Sequence, residues 1–217
     1  MNQTELLSRV ETKKSLYLEY LSSVHWKKFK EKKDARLYTM ETNQGLYRVK
    51  TDVVVDAPAD EVFRFMRNPA NRKIIERTAK LEKTYYDFHE HSLSVMHYKY
   101  ALKVPFVADR EAVVCEYSRS LGSDRFLIGA FSVDDLIPNL ALTDTTNVMA
   151  DVNMTAMGLF AVDKVKTKIV TISEVDPKGS IPKALVNFVA EHRISSALQL
   201  KDTLEKYITL EKAKQDM

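Results

Sequence analysis

A strand-rich middle held between helical ends predicts an α+β fold, and three features of the chain carry that prediction. Residues 3 to about 35 show apolar spacing of three and four, through Leu6, Leu7, Val10, Leu16, Tyr17, Tyr20, Leu21 and Val24. From Leu81 to Val175, segment after segment reads as strand, each bounded by turn residues. Finally, Val175-Asp176-Pro177-Lys178-Gly179-Ser180-Ile181-Pro182-Lys183 leads a strand through a tight turn into a helical pattern that runs to about Ile208. Consecutive strands without intervening helices imply an antiparallel meander. A curved sheet gripping a long C-terminal lid helix follows, with room for a ligand between them.

The N-terminal pattern ends in Trp26 and a basic run, Lys27 to Arg36, which holds six Lys or Arg against two acids. It reads as a solvated helix face, or as a patch touching anionic lipids at about 1 kcal/mol per basic group. Gly45 to Val55 alternates and is β-branched, a strand. Asp56-Ala57-Pro58-Ala59-Asp60-Glu61-Val62-Phe63 then turns to helix, with Asp56 or Ala57 as cap, Pro58 early, and Asp60 and Glu61 at the positive helix end. Asn68-Pro69 stops that helix, and a second short one spans Arg72 to Thr78. The strands of the meander are Thr84–Asp87, Leu93–Leu102, Glu111–Ser120, Arg125–Val133, Asn147–Ala156 and Lys168–Val175.

Pro177 and Gly179 break the last strand, and Pro182 suits a first helical turn, so the lid helix starts near Ile181 or Pro182. Its predicted buried stripe is Leu185, Phe188, Val189, His192, Ser196, Gln199, Leu200, Thr203, Leu204 and Tyr207. Polar groups interrupt it, and each costs roughly 1–3 kcal/mol if buried without a partner. The stripe therefore faces a cavity holding water or ligand, or its polar members reach solvent at its edge.

The 217-residue chain fits one domain, with a core at about 21–208, an N-terminal helix over 1–20 and a tail at 209–217. That length buries something like 70% of the unfolded surface, enough for a core and a pocket. The composition, 45% hydrophobic and 29% charged with 5 Gly and 6 Pro, is that of an ordered globular protein. A net charge of +3 from 33 basic and 30 acidic residues is too balanced for nucleic acid as main partner. The lone Cys115 sits in an apolar run and reads as a core thiol. Without a signal-peptide core or an eighteen-residue apolar window, a soluble, cytoplasmic chain is expected. His89-Glu90-His91 reads as an exposed turn, and no metal site or cofactor is expected. Phosphate-binding glycine loops, nucleophile elbows and HExxH are absent from the sequence.

Three segments resemble a START domain, the StAR-related lipid-transfer module of the helix-grip superfamily, which also holds pollen-allergen-like and polyketide-cyclase-like proteins. Asp56 to Phe63 is similar to the superfamily's strand-to-helix corner. Val104-Pro105-Phe106-Val107-Ala108-Asp109-Arg110-Glu111 is similar to the loop and Arg-Asp pair before a central strand, with Glu111 in place of Asp. Asp176 to Lys183 with Leu185-Val186-Asn187 resembles the approach to the lid helix. The likeness spans roughly Leu21 to Tyr207. It departs where Lys73 follows Asn71-Arg72 in place of a common Trp, and where His97 and Glu116 occupy the positions of the Glu and Arg paired in sterol carriers.

The resemblance implies a helix-grip fold with an internal lipid cavity. Such a protein holds one phospholipid, sphingolipid or sterol and moves it between membranes or senses it, without a chemical step. The implied walls are Val114, Phe131, Leu185 and Phe188; the polar anchors are His97 and Glu116, with His192 on the lid. Tyr98, Tyr100, Phe106, Arg110, Ser196 and Gln199 complete the ligand-contact set. A register slip of one residue would turn Tyr98 inward in place of His97. The door is the Lys103–Asp109 loop with Phe106 at its apolar tip, which touches membranes transiently or packs on the lid; Arg110 ion-pairs with Asp109 or Glu111 at its base. The chain is expected to be monomeric. The rival readings are a cyclase or dehydratase using His97 and Glu116 as acid and base on a polyketide, and a lipid-sensing scaffold.

Overall fold

The structure, a computed structural model, describes residues 2–42, 47–75, 79–102, 107–179 and 184–215. Its strands are β1 (Lys27–Lys32), β2 (Ala35–Glu41), β3 (Tyr47–Val55), β4 (Ala79–Phe88), β5 (Leu93–Tyr100), β6 (Arg110–Gly122), β7 (Arg125–Ser132), β8 (Val148–Met149), β9 (Asp151–Ala161) and β10 (Thr167–Asp176). The helices are α1 (Gln3–Ser22), α2 (Ala59–Arg67), α3 (Arg72–Ile75) and α4 (Ala184–Gln215). All strands join one sheet in the order β1-β2-β3-β10-β9-β7-β6-β5-β4, antiparallel throughout except that the two-residue β8 pairs parallel with β6. The meander is thus as expected from β4 to β10, and β3 closes against β10, the last strand.

The N-terminal region differs from expectation. Asn2 caps α1 by accepting from the Thr4 N–H at 3.0 Å, and the helix ends at Ser22, close to the helix expected over 1–20 and short of the helical spacing read to about residue 35. The Ser23 N–H returns to the Tyr20 carbonyl, and the Trp26 indole donates to the same carbonyl at 2.7 Å, which turns the chain into β1. The basic run is therefore an edge strand, not a helix face. Lysines along an exposed edge block pairing with another chain. The corner after β3 holds as predicted, with Asp60 and Glu61 in the first turn of α2, although Pro58 takes the cap position without a side-chain bond. A 3-10 turn at Pro69–Asn71 precedes α3; the expected helix residues beyond it, 76–78, lie outside the described residues.

Strand alternation separates two faces. On the outer face α1 lays Leu6, Val10, Tyr17 and Tyr20 over Val95, Val113, Cys115, Tyr117, Leu127, Phe131, Met154 and Ile172. Tyr17 fixes this packing by donating to the Val170 carbonyl at 2.8 Å, and burial pushes the Cys115 thiol up to about 12, so it is the inert core thiol expected. On the inner face α4 sets Ile194, Leu204 and Ile208, with Val62 and Phe65 of α2, against Leu37, Val53, Val55, Leu159 and Ile169.

Gly179 carries φ 63°, the left-handed region that glycine tolerates, directly after Lys178 at φ 50°. Asp176 accepts from the Lys178 N–H at 2.8 Å and so builds the turn that ends β10. The predicted helix start at Ile181 or Pro182 lies outside the described residues; from Ala184 the chain is helical.

Candidate functional site

Two apolar clusters share the inner face without merging. One is the α4 cluster near β2 and β3; the other gathers Met96, Tyr98, Ala112, Val114 and Val152 toward β5 and β6. Between them the sheet shows Ile128, Ala130, Thr155, Met157 and Thr171, all half-buried, together with the carboxylate of Glu116. A close-packed core forms one contiguous cluster. The Tyr98 hydroxyl donates to Glu116 Oε1 at 2.6 Å, and the Thr155 hydroxyl donates to Ser173 Oγ at 3.3 Å, so polar groups cross the middle of an otherwise apolar floor.

His97 is not part of that floor. In β5 it pairs with Val113 and points to the outer face, where its Nε2 lies 2.7 Å from Glu111 Oε2. Glu111 also accepts from the Thr143 N–H at 2.9 Å, the Thr143 hydroxyl at 2.6 Å and the Asn147 amide at 2.5 Å. Burial alone would raise this carboxyl, but the bonds from Thr143, Asn147 and His97 outweigh it and hold the pKa at about 2. The expected pairing of His97 with Glu116 is therefore corrected: the two lie on opposite faces, and the register that turns Tyr98 inward is the one formed. Phe131 is corrected likewise, since it packs in the outer cluster under α1. Val114, Tyr98 and Tyr100 do belong to the inner face.

The expected ion pair of Arg110 with Asp109 or Glu111 is corrected: Arg110 is buried and binds carbonyl oxygens instead. Its Nε donates to the Pro177 carbonyl at 2.6 Å, its Nη2 to the Lys178 carbonyl at 3.0 Å, and its Nη1 to the Ala108 carbonyl. Asp109 instead accepts from the Leu102 N–H at 3.1 Å and sits 3.6 Å from Lys99. Arg110 thus binds the last turn before the lid helix to the start of β6. Burial lowers its pKa, with the Asp109 charge opposing. Phe106 and the rest of residues 103–106 lie outside the described residues.

On α4 the buried stripe is rotated from the predicted one. Ile194, Thr203, Leu204 and Ile208 are buried and Arg193, Ser196, Ala197 and Leu200 are half-buried, whereas His192 and Gln199 are exposed. His192 and Gln199 therefore leave the ligand-facing set, and Ser196 stays. The side chains of Leu185 and Phe188 lie outside the described residues. Arg193, on this stripe, was missed because a helical arginine reads as solvated; the phase of Ile194, Ala197 and Leu204 was the available signal. His89–His91 form an exposed 3-10 turn as predicted, and no group of potential metal ligands occurs among the described residues.

The START domain family model matches residues 7–206. This chain belongs to the START family. No curated protein matches its sequence. Among solved structures, human STARD10 is 18% identical with a TM-score of 0.77, covering 94% of this START chain and 82% of its own. Human StAR-related lipid transfer protein 5 is 14% identical with a TM-score of 0.78, covering 96% and 99%. The human StarD13 lipid transfer and protein localization domain gives 16%, 0.67, 94% and 98%. At these identities the likeness establishes the fold alone, an open antiparallel sheet with a C-terminal helix as in the START helix-grip structures.

Proposed function

We propose that this START protein holds one lipid molecule between the inner sheet face and α4, and that it carries the lipid between membranes or senses it. The divided inner face supports this reading: Ile128 and Met157 pack at the rim of the α4 cluster and Ala130 at the rim of the other, and all three keep accessible surface. An apolar space of that kind replaces the bilayer for an acyl or sterol chain at about 0.8 kcal/mol per buried CH₂. Tyr98 and Glu116, joined at 2.6 Å, serve as polar anchor on its floor, with Tyr100, Val114 and Ser196 on its walls. Leu185 and Phe188 on α4 and Phe106 on the door loop keep their proposed wall and membrane-touching roles. The protein works as a cytoplasmic monomer that meets membranes transiently. No helix among the described residues is long and apolar enough to cross one.

A cyclase reading needs His97 and Glu116 to act together on one substrate. Their placement on opposite faces removes that acid–base pair. The deciding experiment mixes the protein with liposomes containing phospholipid, sphingolipid and sterol and weighs it intact by native mass spectrometry. One lipid per chain is expected; a spectrum of bare protein after every mixture overturns the proposal.

A further inference from the structure

Lys27 to Arg36, comprising β1, its turn and the start of β2, holds six cations and two acids in a chain whose net charge is +3, so the run accounts for the whole positive excess. The register of β1 on β2 sorts these charges by face. Lys27, Lys30 and Lys32 stand opposite Thr39, Leu37 and Ala35, while Lys28 and Glu31 stand opposite Tyr38 and Arg36, because the register shifts by one residue between Lys28 and Lys30. Without that bulge Lys27 would share its face with Phe29 and Glu31. With it, Glu31 pairs with Lys28 and, at 3.1 Å, with Arg36 on one face, and three lysines line the other. Asp34, the second acid, lies 3.9 Å from Lys201 of α4. Lys27 and Lys32 pair with no acid among the described residues, and Lys33 holds the left-handed turn position, at φ 51°, that glycine or asparagine fills at least cost. The bulge also leaves Phe29 outside the pairing with β2, where at 49% it is the most exposed aromatic among the described residues. Val24, just before β1, is 88% exposed, more than any other large hydrophobic residue described.

Lysines set around exposed apolar side chains match the surface of a bilayer, where ammonium groups reach the head-group charges and apolar side chains enter the interface below them. An ammonium on a flexible stem is a point charge that follows a diffuse anionic surface. Recognition of a defined phosphate or base edge favours the arginine fork, and the one arginine of this run is held by Glu31. A bulged edge lined with lysine also resists the addition of a strand from another protein. We propose that β1 and the turn before it form a docking surface for membranes rich in anionic phospholipid, with Phe29 and Val24 entering the head-group region. This supplies a surface and a lipid charge for the membrane encounter proposed above. It stands or falls on vesicle binding alone, so its failure leaves the lipid-holding function standing.

The test uses the full chain and vesicles of phosphatidylcholine, alone or with about one third phosphatidylserine. Trp26, the single tryptophan of the sequence, directly precedes β1 and reports on this surface by energy transfer to a dansyl head group in the vesicle. Binding to the anionic vesicles should exceed binding to the neutral ones by about tenfold or more, weaken with added salt and bring Trp26 into transfer range. The triple variant K27Q/K32Q/K33Q should bind the anionic vesicles more weakly by on the order of a hundredfold, at about fivefold per charge. E31Q releases Lys28 and Arg36 and should bind them about fivefold more tightly, a gain that poor folding cannot produce. F29S should weaken binding by about threefold or more with the salt dependence unchanged. K164Q, an exposed lysine in the turn between β9 and β10, should bind within about twofold of wild type, which separates this surface from net charge. Equal binding to both vesicles, unchanged affinity in the triple variant and E31Q, a loss in K164Q as large as the loss per charge in β1, or binding without transfer from Trp26 each overturns the inference. Tighter binding to a single-stranded RNA than to the anionic vesicles overturns the choice of a membrane as partner.

Discussion

His97 Nε2 sits 2.7 Å from Glu111 Oε2 with the two side chains 3% and 0% exposed, which makes the pair a sealed rivet between β5 and β6. Through Thr143 and Asn147 the same carboxylate fastens the segment that follows β7. Breaking such a network by removing one partner leaves uncompensated buried groups, at about 3 kcal/mol. Glu111→Gln should therefore lower the melting temperature by several degrees, measured by thermal unfolding at neutral pH.

The same carboxyl sets a pH dependence. Its folded pKa is about 2 against an ordinary value of 4.5, so its contribution is complete above about pH 4.5 and is lost as pH falls toward 2. Denaturant titrations of wild type between pH 5 and 2.5 should show falling stability. Glu111→Gln removes this titration, and its curve should be flatter by the corresponding slope; parallel curves for both proteins would contradict the assignment.

The carbonyl clamp of Arg110 predicts a local effect on the lid. Arg110→Met strips donors from the Pro177 and Lys178 carbonyls, immediately before the left-handed Gly179. Losing them weakens the closed hinge by at least about 1.4 kcal/mol, a tenfold increase in opening. Hydrogen exchange resolved by mass spectrometry should speed up by about that factor at the junction between β10 and α4, while peptides from β7 and β9 exchange as in wild type. The companion readout is faster lipid loss to acceptor vesicles.

Legibility in the sequence followed how one-sided each element is. Beta-branched alternation and turn residues announced the meander, and Pro58 with Asp60 and Glu61 announced α2. The edge strand β1 escaped because it is exposed nearly all round, so Lys27, Lys28, Lys30 and Lys32 leave no alternation to read. In β5, Met96, His97 and Tyr98 are all buried, and continuous burial carries no information on which residue faces α4. Phe131 misled for a related reason. The residues of β7 that are most buried, Leu127, Gly129 and Phe131, lie beneath α1, whereas the ligand-side residues Ile128 and Ala130 are the half-buried ones. A sheet covered on both faces hides its site behind its better-packed side.

That reassignment separates two neighbouring residues of β5 functionally. Tyr98→Phe removes the donor 2.6 Å from Glu116 and should weaken retention of the bound lipid about tenfold, as measured by transfer to acceptor vesicles. His97→Gln should lower stability yet leave transfer within about twofold, because His97 lies across the sheet from the ligand. The reverse pattern would restore the His97 anchor.

Tyr117 offers a stabilising change. Its hydroxyl is buried under α1 with no hydrogen-bond partner among the described residues, and its ring lies so close over Gly129 that a Cβ there would stand 2.5 Å away. An orphaned buried hydroxyl costs about 1 kcal/mol or more. Tyr117→Phe keeps the ring and should raise the melting temperature by about 2–4 °C.

Gly158 is required for the opposite reason. A Cβ at this position would stand 2.3 Å from the Tyr17 hydroxyl, the group that ties α1 to the Val170 carbonyl at 2.8 Å. Gly158→Ala must push Tyr17 aside or break that bond, a cost of about 2 kcal/mol and so about 4–8 °C in melting temperature. The new Cβ would meet both the Tyr17 oxygen and the Phe160 ring, at 2.5 Å, so Tyr17→Phe clears only part of the space it needs. The double variant Tyr17→Phe with Gly158→Ala should then lose less than the two single variants combined, by about 1 kcal/mol of coupling. Strict additivity would show that the Tyr17 hydroxyl and the new methyl do not compete for the same space.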